Sequence, residues 1–314
     1  MQKSYDITLV GMINLNLALS PVDHGIFDRD VTLIGPVIAT PGGDAMNEAL
    51  TAARLSNRVA IAGKVGDDLF GRHILETARQ SGIMTDSIKV DKAAKTAVGA
   101  MLIDQSGDRN ICAYRGAIES FCLEDVDFNT IEGSRYVNIG SMLALKNLDG
   151  AGVCEVLRRA KQSGAVTSAD VKQDTYGIGY KGIQACFEYL DYFLPSHDEA
   201  LYLSGEKDPQ RQAAFFLSAG CTGVIIKLGK DGCYLATGNE QTTIGPCPAK
   251  RVDTSGAGDN FVAGFLTGLS RGWSAPEAAR FGNAVAAISI QEFGSNGAIK
   301  SFKQVEEYRK QVHY

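Results

Sequence analysis

The sequence predicts an α/β fold in which a doubly wound, mostly parallel sheet carries helices on both faces. Short apolar, β-rich runs alternate with helix-patterned segments over much of the chain, an order that argues for parallel strands covered by helices. The last third reads instead as successive helices. Two intervals, Val31 to Thr40 and Thr96 to Tyr114, are rich in β-branched residues and break the alternation. From the residues alone they are extra strands on the main sheet or a small sheet of their own.

Taken in order, Ile7 to Ile13 is the first strand. The run is short, follows Asp6 and lacks a basic leading region, so it fits neither a signal peptide nor a membrane span. Val59 to Gly63, Arg135 to Ile139, Ala165 to Asp170, Tyr192 to Leu194 and Gly223 to Leu228 are further strands. Within the second β-rich interval, Gln105-Ser106-Gly107-Asp108 is polar and suits a hairpin turn. Ala257 to Arg271, Ala275 to Gln291 and Phe302 to Val312 carry helical spacing, and Pro276 suits a first helical turn capped by Ser274. No linker, low-complexity tract or internal repeat divides the chain, so residues 1–314 are expected to form one domain.

With 45% hydrophobic and 21% charged residues the composition is that of a globular protein, and 314 residues suffice for a large core. A net charge of −5 and a pI near 5.5 give no electrostatic case for nucleic acid or an anionic membrane. A cytoplasmic protein is expected. The seven cysteines are an odd number without a C-x-x-C pair and read as reduced, mostly buried residues. His24, His73, His197 and His313 form no metal-binding spacing, so no transition-metal site is expected.

The chemistry concentrates in Asp253-Thr254-Ser255-Gly256-Ala257-Gly258-Asp259-Asn260-Phe261. Val262, Phe265, Leu266 and Leu269 follow at helical spacing, which puts the N–H groups of Gly256, Ala257 and Gly258 at an open helix N-terminus. Such groups, backed by the helix dipole, favour a phosphate or a developing negative charge. Asp259, in the first turn, is placed to take a proton from an attacking hydroxyl. A bare G-x-G-D could equally be a turn whose Asp only complements the dipole.

Other segments admit two readings each. Lys227-Leu228-Gly229-Lys230-Asp231-Gly232 ends an apolar run, where a Lys and two glycines suit a nucleotide's phosphates or form a plain β-turn. Ser196 with Glu199 makes a capping box ahead of a helix. Gly177-Ile178-Gly179-Tyr180-Lys181-Gly182 matches G-x-G-x-x-G, but Val171 to Tyr176 separate it from the preceding strand, and Tyr180-Lys181 would crowd a pyrophosphate. It reads as a surface loop. There is no G-x-x-x-x-G-K-[ST], G-x-S-x-G or H-E-x-x-H.

The Asp253 segment resembles the C-terminal signature of the PfkB, or ribokinase-like, carbohydrate kinases, D-T-x-G-A-G-D. Pro41-Gly42-Gly43-Asp44-Ala45-Met46-Asn47-Glu48-Ala49 and Val65-Gly66-Asp67-Asp68-Leu69-Phe70-Gly71 resemble the N-terminal one. The resemblance covers nearly the whole chain. It implies a ribokinase-like fold whose β-rich intervals, about 14–40 and 95–115, form a small lid sheet over a sugar. It also implies ATP and Mg²⁺, in some members K⁺, and a homodimer through the lid.

Residue by residue, the resemblance implies Asp259 as general base and Gly256, Ala257 and Gly258 as the anion hole. Asn16, Gly42, Gly43 and Asn47 would hold the sugar. Ser196, Lys227, Gly229, Gly232 and Asn283 would meet the nucleotide. Glu199 would order Mg²⁺ through water, while Asp253 and Ser255 match a monovalent-cation loop. Two positions depart from the pattern: Asn16 stands where the family has Asp, and Ser196 where it has Asn. An amide both donates and accepts, so Asn16 points to a substrate other than ribose. Nucleoside kinases share both signatures, and a non-catalytic sugar-responsive regulator could use the same scaffold. Arg109 and Arg115 could meet a substrate phosphate or carboxylate, or form a solvated face.

Overall fold

The computed structural model describes residues 3–106, 108–295 and 297–314. Strand β1 (Tyr5–Val10) leads into β2 (Asn14–Leu19), and β3 (Ile38–Gly42) runs into helix α1 (Asp44–Arg54). Then come β4 (Val59–Gly66), α2 (Leu69–Gln80), β5 (Ile88–Asp91), the hairpin β6 (Val98–Ile103) and β7 (Arg109–Tyr114), and the short α3 (Phe128–Glu132). Strand β8 (Ser134–Met142), α4 (Ala151–Gln162), β9 (Val166–Val171), α5 (Gly179–Ile183), β10 (Tyr192–Phe193), α6 (His197–Ser204) and α7 (Pro209–Ser218) continue the winding. The chain closes with β11 (Gly223–Lys227), β12 (Cys233–Thr237), β13 (Gln241–Ile244), α8 (Ala257–Ser270), α9 (Ala275–Ser289) and α10 (Phe302–Gln311).

Nine strands form the main sheet in the order β13-β12-β11-β10-β9-β8-β1-β4-β5. All pairs from β11 to β5 are parallel, and only the edge pairs β11–β12 and β12–β13 are antiparallel. The period-two pattern of the strands divides the apolar residues between two layers. In β11, Val224 and Ile226 join the cluster beneath α4, α6 and α7, whereas Ile225 joins the one beneath α1, α2 and α8. A third cluster, with Phe281, Val285, Ile299 and Val305, packs α9 against α10. The chain winds outward in opposite directions from β1 and β8, and crevices at such a switch point, beyond the carboxyl ends of strands, are where open α/β sheets bind ligands.

The second sheet has four strands in the order β3-β2-β6-β7, with β2 and β6 parallel and the others antiparallel. The sequence reading ran the first strand through Ile13; it ends at Val10, and the chain crosses to the small sheet at Asn14. It also expected strand over Val31 to Thr40, but pairing begins only at Ile38. Gly35 and Pro36 interrupt that run, and Pro36 has no N–H to give a ladder. Gly107 of the expected β6–β7 turn lies outside the described residues. Among the described residues no helix is long and apolar enough to cross a membrane.

Candidate active site

The carboxyl ends of β9 and β11, the N-terminus of α8 and the inner face of the small sheet enclose a cavity of about 640 Å³. Asn14, Asn16, Asn47, Asp259, Ser196, Glu199, Lys227 and Gly229 all line it, as do Ser255, Gly256, Ala257 and Gly258. Residues far apart in sequence thus share one space.

The side of the cavity at the N-terminus of α8 is built from backbone. Gly256 caps α8 with φ 69°, and a Cβ there would lie 2.7 Å from the Ser295 carbonyl oxygen, so only glycine fits. The N–H groups of Gly256 and Gly258 make no hydrogen bond among the described residues, whereas that of Ala257 leans on the Thr254 carbonyl at 3.3 Å. The anion hole expected from three N–H groups therefore has two wholly free donors. A Cβ on Gly258 would lie 3.3 Å from Lys227 Nζ, which puts an ammonium across from the free N–H groups. Lys227 is itself half-buried and donates to Asp170 Oδ2 at 2.6 Å. Burial works against its charge, but Asp170 and Glu199 outweigh that and hold the ammonium protonated.

Asp259 is buried in the first turn of α8 and accepts a hydrogen bond from Asn47 Nδ2 at 2.7 Å. Burial, then the nearby Asp44 carboxylate, raises its pKa to about 6, against the pull of Lys172 and Asn47. Asp44, in the first turn of α1, is paired with Lys172 at 2.8 Å, and its Oδ2 is buried without a partner. Behind these groups Glu48 is fully buried against Asn138 Nδ2, its carboxyl pushed well above the usual range by burial and by Asp170, Asp259 and Asp44.

A sequence profile of pfkB family carbohydrate kinases matches residues 6–301. The chain belongs to this family. It is 28% identical over 324 residues to the 5-dehydro-2-deoxygluconokinase of Geobacillus thermodenitrificans (strain NG80-2), across 99% of this chain and 95% of that protein. The ribokinase of Thermotoga maritima superposes with a TM-score of 0.84 at 27% identity, over 98% of this chain and 99% of that one. The Arabidopsis thaliana ribokinase complexed with ribose and ATP has the same TM-score at 22% identity over 99% of both chains, a likeness of fold. The protein is thus a carbohydrate kinase, a phosphotransferase with an alcohol group as acceptor.

Several residues expected to touch ligands in this kinase stand elsewhere. Gly232 does not line the cavity: with φ 85° and a Cβ that would lie 2.1 Å from the Ile244 carbonyl oxygen, it serves the β11–β12 turn. Asn283 is buried outside it, giving its amide to the Gly245 carbonyl and Tyr314 Oη, each at 2.9 Å. Gly42 does not line the cavity either. A Cβ there would meet Asn16 Nδ2 at 2.1 Å, so Gly42 makes room for the Asn16 side chain. Gly43 lines the cavity and, with φ 90° and a Cβ that would lie 2.3 Å from the Met12 carbonyl oxygen, is fixed as glycine.

Asp253 Oδ1 accepts from Ser255 N, Ser255 Oγ and Arg109 Nη1, and Oδ2 accepts from Gly294 N. A guanidinium already neutralises this carboxylate, so Asp253 and Ser255 do not fit the role of monovalent-cation ligands. Ser196 and Glu199 form the anticipated capping box, with Ser196 N on Glu199 Oε2 at 2.7 Å. Sequence reasoning assigned no role to Asp44, Asp170 and Lys172. Their signal was position: Asp44 directly follows the Gly-Gly pair, and the other two end a parallel strand, where ligands gather.

Proposed function

We propose that this kinase transfers the γ-phosphoryl group of ATP to a hydroxymethyl group of a small sugar of the ribose, fructose or sugar-acid class, with Asp259 as general base. The observation that carries this reading is that one cavity joins Asp259 and its Asn47 bond to the free Gly256 and Gly258 N–H groups opposite Lys227. Phosphoryl transfer needs chiefly positioning and stabilised charge, and backbone donors with an ammonium supply both. Asn47 orients the Asp259 carboxylate, which accepts the hydroxyl proton as the oxygen attacks. Asn14 Nδ2 bonds Asn16 Oδ1 at 2.6 Å, so this pair meets the sugar mainly through the Asn16 amide group.

Glu199, which no cation pairs among the described residues, is a hard oxygen donor at the cavity wall and fits Mg²⁺ held mostly through water and phosphate oxygens. When bound, Mg²⁺ supplies charge neutralisation across the phosphates. The small sheet acts as a lid that excludes water. Val98, Met101 and Ile111 give its inner face apolar surface, which favours a nucleoside as the second reading. We place the reaction in the cytoplasm, where ATP is supplied. A coupled ADP-release assay across ribose, fructose, 2-keto-3-deoxygluconate, adenosine, inosine and fructose 6-phosphate tests all of this. Sugar-dependent ADP release is expected; release with none of these acceptors overturns the reading, and release with a nucleoside alone selects the second.

A further inference from the structure

Among the described residues four cationic side chains line the cavity: Arg109, Arg115, Lys172 and Lys227. Three of them are neutralised within the protein. Lys227 is on Asp170 at 2.6 Å, Lys172 on Asp44 at 2.8 Å and Arg109 on Asp253 at 2.9 Å. Arg115 is different. Among the described residues its guanidinium has no carboxylate partner; Nη1 meets only the weak acceptor Met12 Sδ at 3.2 Å, and Nη2 the Thr175 hydroxyl at 3.2 Å. Its planar face lies 6.0 Å from the centre of the Tyr176 ring. A thioether, a hydroxyl and a ring hold the side chain in place without neutralising it, so its charge is left to face the cavity.

We propose that the acceptor sugar carries a carboxylate and that Arg115 is the residue that selects it, a specificity that rests on the kinase reading above. A guanidinium fork matches a planar carboxylate with two parallel hydrogen bonds. A phosphate monoester carries about −1.5 to −2 charges at neutral pH, and a single unpaired cation in a cavity that Asp44 and Asp259 also line does not balance it. Lys172, already neutralised by Asp44 at 2.8 Å, leaves no second free cation among the described cavity residues for a doubly charged ester. The Asn16 amide offers a donor where a second carboxylate would repel an acid substrate. In this reading Gly256, Gly258 and Lys227 serve the phosphoryl group and Arg115, held by Met12 and Thr175, serves the carboxylate.

The test compares 2-keto-3-deoxygluconate, fructose and fructose 6-phosphate on wild type, Arg115→Gln and Arg115→Lys. Wild type is expected to show kcat/KM for the acid at least about tenfold above that for fructose. Arg115→Gln should lower the acid's kcat/KM at least about tenfold more than fructose's, chiefly through KM, and Arg115→Lys should recover part of the loss. Calorimetric titration of the acid into both proteins reads the same contact without turnover, so a failure of phosphoryl transfer is distinguished from a failure of carboxylate recognition. Equal losses for acid and neutral sugar, or undiminished acid binding by Arg115→Gln, overturn the proposal. Preference for fructose 6-phosphate over the acid overturns it in favour of a phosphate ester.

Discussion

Arg109 of β7 donates Nη1 to Asp253 Oδ1 at 2.9 Å, joining residues 144 apart in sequence. The contact ties the small sheet to the loop that enters α8. Asp253 passes the restraint on, because its carboxylate also holds the Ser255 and Gly294 N–H groups. Burial opposes its charge, yet the bonds from Ser255 and Gly294 and the Arg109 guanidinium hold it below the usual carboxylate range.

Removing that tie should loosen the lid without unfolding the protein. A partly exposed ion pair contributes at most about 1 kcal/mol, so Arg109→Ala should keep its melting temperature within about 3 °C. Sugar KM should rise by about three- to tenfold, and ATP hydrolysis without sugar should increase relative to transfer. If KM and the hydrolysis ratio both stay at wild-type values, the contact does not couple lid to anion hole.

Asp259→Asn removes a base but no phosphate contact, so kcat should fall by about 10²–10⁴ with nucleotide affinity nearly unchanged. The base acts deprotonated, and its pKa is raised to about 6. Wild-type kcat/KM should therefore rise with pH through about 6 and level off above it, a limb absent in the variant. Full turnover by a correctly folded Asp259→Asn protein would sink the assignment, as would a flat wild-type profile from pH 5 to 7.

The two glycines of the anion hole should fail differently. Gly256 is left-handed and crowded by Ser295, so Gly256→Ala should destabilise the protein by about 1–3 kcal/mol in urea unfolding. Gly258 does not have a left-handed backbone, and its Cβ would enter the space before Lys227. Gly258→Ala should fold nearly normally and lose transfer by about tenfold or more while keeping sugar affinity. Equal stability losses in both variants would contradict this division.

Most of the fold was legible because its strands are short apolar runs and its last helices carry clear caps. The helix boundaries after Gly256 and at Ser274 agree closely with the observed α8 and α9. Strands β5, β12 and β13 were missed: Ile88–Asp91 alternates apolar and polar residues over only four positions, too few to establish a period, and Gln241–Ile244 carries a single apolar residue. The Asp259 loop and Asn47 were legible as local motifs. The Asp44–Lys172, Asp170–Lys227 and Arg109–Asp253 pairs were not, since each joins residues brought together only by the winding of the sheet.

Both edges of the small sheet are open strands, β3 and β7, and large apolar side chains stand on and beside them. Phe27 is 93% and Leu33 88% exposed, with Ile38 also bare. Such edges and patches are normally covered. Light scattering at micromolar concentration should give twice the 33.5 kDa of one chain. Charged substitutions, Ile38→Lys with Leu33→Lys, should shift it to the monomer. A wild-type mass of one chain would reject a lid-mediated dimer.

Glu48 makes stability depend on pH in a predictable direction. Its folded-state pKa is raised well above 4.5, first by burial and then by Asp170, Asp259 and Asp44. Between 4.5 and that raised value the unfolded chain carries the charge while the folded one holds the proton, so folding takes up a proton. The stabilisation is fully present below the unfolded pKa and is lost as pH rises toward the folded one, by about 1.4 kcal/mol per pH unit for a single proton. Glu48→Gln has no proton to take up, and its amide can still accept the Asn138 bond. Urea unfolding at pH 5, 6.5 and 8 should show wild type and Glu48→Gln diverging, with the variant gaining relative stability at each step. Parallel stability curves would mean that Glu48 is ionised in the folded protein, and Asp259 would then face a full negative charge behind it.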